Sequence, residues 1–192
     1  TFSPGRRSCD GAINENLKGG DGILKTRKLV TLALLDAIAL TIFMIEAQIP
    51  ALVPIPGIKL GLSNIITVFA VFAIGPWEGA AVLFVRIFLG AVFAGNFSSI
   101  LYSGAGGLCA ILVTMGLRKL LTNKQLWVAG CLGAVAHSAG QMAMAICVTG
   151  TPAIAVYLPV MMACSIVTGL FTGLCAQVLV NRGGNLWKIT SK

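Results

Sequence analysis

Residues 58–95 read IKLGLSNIITVFAVFAIGPWEGAAVLFVRIFLGAVFAG, two apolar runs joined by a short GPWEG connection at 75–79. Each run carries one basic residue, Lys59 near the start of the first and Arg86 in the middle of the second. The hydrocarbon layer of a bilayer is about 30 Å thick and takes roughly 20 apolar residues as a helix. Each run is therefore of spanning length. Lipid offers no partners to backbone amides, so a spanning segment must satisfy them within itself as a helix, or in a closed barrel of alternating strands. These runs do not alternate, and helices are expected.

Working outward from this pair, the same cutting rule gives six spans, near 29–49, 58–75, 77–95, 98–117, 126–149 and 153–180. Composition agrees: of 192 residues 57% are hydrophobic and 10% charged, with a mean hydropathy of +0.92, whereas a soluble domain carries about 25% charged residues. The expected fold is an all-α integral membrane bundle of six transmembrane helices over 29–181. Residues 1–28 are polar and without periodicity and read as a disordered or appended leader. Residues 182–192 read as a basic tail. Lys25, Arg27 and Lys28 precede the first span, Arg118, Lys119 and Lys124 lie between the fourth and fifth, and Arg182, Lys188 and Lys192 follow the sixth. The connections ALVPIPG, GNFSS and TGTPA hold no base. By the positive-inside rule both termini are then cytoplasmic and those three connections face outward.

Several function classes fall away. The net charge of +8 reports loop orientation and attraction to anionic lipid, and no basic and aromatic interleaving supports a nucleic-acid partner. Beyond residue 28 the only carboxylates are Asp36, Glu46 and Glu78, too few for clustered-carboxylate chemistry. The six cysteines form no CxxC, and all but Cys9 lie in apolar runs, where they read as small buried hydrophobes. No metal set, cofactor or catalytic residue is expected. The chain has no GxxxxGK[ST] phosphate loop, so any ATP-driven step needs other chains.

The polar residues inside the spans are the informative ones. A central ionisable group costs at least ~2.5 kcal/mol on insertion scales, so Arg86 and the single histidine, His137, should face a bundle interior or a wet cavity. Arg86 could alternatively form a structural ion pair with Glu46 or Asp36, and Lys59 could snorkel to the headgroups. His137 reads as a hydrogen-bonded histidine rather than a metal ligand, having no second His or Cys a turn away. Gln141 lies one turn from His137 on the same face; Ser63 and Asn64 follow Lys59 by four and five residues. With Glu46, Gln48, Asn96, Ser98, Ser99, Tyr102, Ser103 and Tyr157 these define a polar pocket in the outer half. Lys59, Asn64, Arg86, Asn96, His137, Gln141 and Tyr157 are its candidate binding residues, for a small and anionic substrate. Ala33, Ala37 and Thr41 form a small-residue strip on the first span, either for a partner or for packing within the chain against a surface such as Gly169 and Gly173 of GLFTG.

The segment from Pro54 through Gly95, with GAVAHSAGQ at 133–141, resembles the Gx transporter family, also labelled heptaprenyl diphosphate synthase component I. The resemblance covers 29–180, most specifically Pro56 to Asn64, Arg86 within VRIFLG, and Ala136 to Gln141. That family is similar to the substrate-binding S-components of energy-coupling factor (ECF) transporters, which implies an ECF S-component-like bundle in a bacterial cytoplasmic membrane. It also implies docking of an AxxxA motif, matched here by Ala33 and Ala37, on a transmembrane coupling subunit driven by two ABC ATPases. The alternative is a non-catalytic accessory subunit or anchor of a polyprenyl diphosphate synthase or redox complex. Catalysis by the chain itself is not expected, because such synthases hold magnesium and diphosphate with DDxxD motifs and no two acidic residues here are adjacent.

Overall fold

A computed structural model of the chain describes residues 6–48, 62–95, 97–121 and 125–187. Every regular element in them is helical: α1 (Arg6–Gln48), α2 (Asn64–Ala73), α3 (Pro76–Ala94), α4 (Ser98–Arg118), α5 (Leu126–Thr149) and α6 (Leu158–Trp187), with a 3-10 turn at Pro152–Tyr157 before α6. Five segments are long and apolar enough to cross a membrane: Thr26–Glu46, Pro76–Ala94, Ser98–Arg118, Leu126–Thr149 and Pro152–Arg182. The chain is a multi-pass membrane protein. Its many exposed leucines, valines and phenylalanines, among them Leu34, Phe88, Leu112 and Phe171, would be association-prone patches in water. In lipid they are the solvated surface.

Two boundaries differ from expectation. α1 starts at Arg6, so most of the segment expected as a disordered leader is helical. Prolines fall at 4 and 50 but nowhere between, and lengthening an existing helix avoids the nucleation cost. Leu62 and Ser63 form a turn and α2 is a 10-residue helix from Asn64; residues 49–61, where the second span is expected to begin, lie outside the described residues. Lys59 lies outside the described residues, as does Asn96. The sixth span is broken, because Pro159 at the second position of α6 cannot bond or fit a continuous α-helix through Ala155, and 152–157 take the tighter 3-10 form.

α2 is the hub. It packs against α1, α3, α4, α5 and α6, and its residues 66–71 are all buried, which is how a helix apolar on every side must sit. Leu35 and Ala39 of α1, Val82 of α3, Leu126 of α5 and Ala176 of α6 join it in one core. Among the described elements α1 packs against α2 and α3. Against α3 it runs parallel: Lys28 pairs with Glu78 at one end, and Phe43 lies on Gly90 toward the other.

α5 and α6 meet differently, backbone on backbone. A Cβ placed on Gly130 would stand 2.5 Å from the Gly169 carbonyl oxygen and 2.5 Å from Gly173 Cα, a separation only glycine permits. Small residues let helices approach where apolar burial gives no drive between them. The GLFTG surface is thus taken by α5, while Ala33, Ala37 and Thr41 of α1 are exposed. Among the described residues that strip is not packed within the chain. The described cysteines also depart from expectation: Cys109 and Cys147 are exposed, and Cys131, Cys164 and Cys175 are half-buried. A thiol is as well accommodated by lipid as by a core.

Candidate functional site

The described polar residues converge on one cavity, lined by Phe43 and Glu46 of α1, Ser63 and Asn64 at the head of α2, Arg86 and Ile87 of α3, Ser103 of α4, and His137 and Gln141 of α5. Five helices contribute. Each places its residue for a local reason. Ser63 stands at the N-cap of α2 but makes no capping bond with its side chain; its hydroxyl instead accepts a hydrogen bond from Arg86 Nη1. Asn64 Oδ1 accepts a second from Arg86 Nη2 at 3.2 Å. The turn at the head of α2 therefore supplies the guanidinium with two neutral acceptors.

Arg86 is 4% exposed, deep in α3, and reaches toward the head of α2. Glu46 and Asp36, both on α1, supply the negative field that it feels. Glu46 lines the cavity with it, whereas Asp36 does not. His137 and Gln141 are brought in by a close crossing of α4 and α5 at Gly106, where a Cβ would stand 2.7 Å from the His137 carbonyl oxygen and 2.7 Å from Gln141 Cγ. Arg86 Nε and His137 Nδ1 are buried and have no hydrogen-bond partner among the described residues. A buried donor left so costs about 1–3 kcal/mol. The residues that line the site thus keep unspent hydrogen-bonding capacity.

The cavity is small, about 20 Å³ of water-accessible space, enough for roughly one water molecule. Phe43 and Ile87 form its apolar wall. Of the sequence candidates, Asn64, Arg86, His137 and Gln141 come together here, and Glu46, Ser63 and Ser103 join them. Tyr157 does not: it ends the 3-10 turn and is 42% exposed, carried outside by the break that Pro159 imposes. Gln48 and Ser98 are exposed, and Ser99 is buried outside the lining. Sequence reasoning missed Phe43 and Ile87, which carry no signal inside apolar runs beyond their spacing, one turn from Glu46 and next to Arg86. Among the described residues no group of three His, Cys, Asp or Glu side chains could hold a metal ion.

Apolar spanning helices enclosing a dehydrated arginine, a histidine and amide side chains define a multi-pass helical membrane protein with an internal polar site. Within that class the family is shown by sequence: the model described as heptaprenyl diphosphate synthase component I matches residues 35–179. The chain belongs to that family, and a bacterial membrane fits it. Comparison with curated proteins and with solved structures gives no match.

Proposed function

We propose that the chain is the substrate-binding membrane subunit, S-component-like, of an ECF-type ABC transporter, and that it captures a small anionic molecule in the cavity around Arg86. The observation that carries this reading is the convergence of Arg86, His137, Asn64 and Gln141, from three helices, on one buried space. A permanent cation that lines that space and keeps a buried, unbonded Nε suits a carboxylate or phosphate oxygen. Asn64, His137 and Gln141 add hydrogen bonds, Phe43 and Ile87 take an apolar portion, and Lys59, Asn96 and Tyr157 belong to the rim in this reading. The pocket faces outward, with both termini cytoplasmic as the basic connections indicate.

Capture requires the site to open, since about one water fills it as described. The side that yields is the α1–α3 side, joined by side chains rather than by backbone contact. α1 also offers the exposed Ala33 and Ala37 strip, flanked by exposed Leu34 and Ile38, as the face for a transmembrane coupling subunit energised by two ABC ATPases. A second reading is favoured by the family description itself: a non-catalytic accessory subunit beside a partner synthase component, with the buried charges structural.

Native mass spectrometry of the protein purified in mild detergent from its own host separates the two. A retained stoichiometric anion with coupling and ATPase subunits is the expected result. An empty protein bound to a prenyl synthase subunit would overturn capture in favour of the accessory role.

A further inference from the structure

α1 and α3 carry complementary charges in a repeat. Lys28 and Asp36 are eight residues apart on α1; Glu78 and Arg86 are eight apart on α3. Lys28 pairs with Glu78, an offset of 50 between the two numbers. Phe43 meets Gly90, an offset of 47. Between those contacts the offset drifts by three residues, so the stretch of α1 level with Arg86 runs from Asp36 to Ala39, and Asp36, about 12 Å along the axis from Lys28, is its one charged residue, near enough for its charge to act on Arg86. Both lie near the middle of their spans, Thr26–Glu46 and Pro76–Ala94. The pairing that this register sets up is not made. Arg86 bonds Ser63 and Asn64 instead, and Asp36 Oδ1 is buried with no hydrogen-bond partner among the described residues.

We propose that the Arg86 side chain is a two-seat switch, with an outer seat on Ser63 and Asn64 and an inner seat on the Asp36 carboxylate. The outer seat is the one described. In it the cavity holds its cation, and the middle of α1 is held through the apolar core that Leu35 and Ala39 share with Val82 rather than through a bond from Arg86 to Asp36. The inner seat moves the cation out of the cavity and adds an ion pair to the apolar contact between the middle of α1 and α3. A carboxylate at mid-membrane depth without a bonded cation is costly, which gives the inner seat its pull. Two charge-assisted hydrogen bonds oppose it at the outer seat. The switch therefore links occupancy of the polar cavity to the attachment of α1, whatever the cavity binds and whichever partner α1 meets.

Magic-angle-spinning NMR of the full chain in lipid bilayers reads the two seats directly. The sample carries ¹⁵N in arginine guanidinium groups and ¹³C in aspartate carboxyl groups, and dipolar dephasing reports Arg–Asp pairs in contact. A component that disappears in Asp36→Asn belongs to the inner seat. It is expected as a minor signal in the wild type and as the major one in the Ser63→Ala/Asn64→Ala variant, where the outer acceptors are gone. Absence of any Asp36-dependent component overturns the switch, and so does one of equal size with and without the outer acceptors. The comparison of wild type with Asp36→Asn stands even where the double variant does not fold.

Discussion

α5 presents two neighbouring faces that hold their partners by opposite means. Along Gly130, Ala134 and Ser138 it meets α6 with almost no side chain between the backbones: Ala134 Cβ is 2.8 Å from where a Cβ on Gly169 would stand. The polar groups there are used up. Ser165 donates to the Met161 carbonyl at 2.7 Å, so its oxygen accepts from Ser138, and Thr172 bonds the Gly169 carbonyl at 3.1 Å. Along His137 and Gln141, α5 instead looks into the cavity, across which α1 and α3 are held through long side chains. The first face has nothing left to bind and no room to move. The second keeps buried donors and a gap. One helix thus carries both the fixed wall of the bundle and one side of its site.

The comparison breaks most visibly at the glycine seam. Gly130→Val puts two methyl groups where a single Cβ already meets backbone atoms at 2.5 Å, and no side chain can yield to make room. The expected cost is about 3 kcal/mol or more, seen as loss of folded protein in a reversible unfolding assay in detergent. A Gly130→Val protein of unchanged stability would mean that α5 and α6 do not meet in this way.

At the cavity the expected effect falls on binding rather than on folding. Arg86→Ala removes the charge facing the interior, and charge-assisted bonds contribute about 1.5–3 kcal/mol, roughly 10- to 100-fold in affinity for the anion recovered with the protein. Helix content by circular dichroism should be retained. Lys59→Ala, at the rim, should weaken binding less. Should both leave affinity unchanged, the anion is held elsewhere and the capture reading falls.

The contrast also governs what the sequence could reveal. Arg86, His137, Asn64 and Gln141 are legible because polarity is anomalous in an apolar run, and the cost of an ionisable group in lipid forces it inward. Phe43 and Ile87 are not, because an apolar wall residue looks like a lipid-facing one. The glycines at 169 and 173 announce a close helix contact, but spacing does not name the partner, which is α5 rather than the small-residue strip of α1. The break at 152–157 had a visible cause in Pro152 and Pro159 that hydropathy alone overrides. Lys59 and Asn96 lie outside the described residues, and their place at the rim rests on sequence alone.

The smallest effect lies in the Ser138–Ser165 pair, and its size tests the idea that the α5–α6 face is held by backbone proximity. Hydroxyl bonds between helices in lipid average about 0.6 kcal/mol, because a serine that loses its partner falls back on its own helix carbonyl. Ser165 already makes that bond, to Met161. Ser138→Ala should therefore cost no more than ~1 kcal/mol in the same unfolding assay, well below Gly130→Val on the same face. A larger loss would show the hydroxyl pair, rather than the glycines, to be the element that fixes α5 on α6. The wall opposite the switch would then depend on a hydrogen bond that a ligand or water could exchange, and α5 could no longer be taken as the fixed side of the cavity.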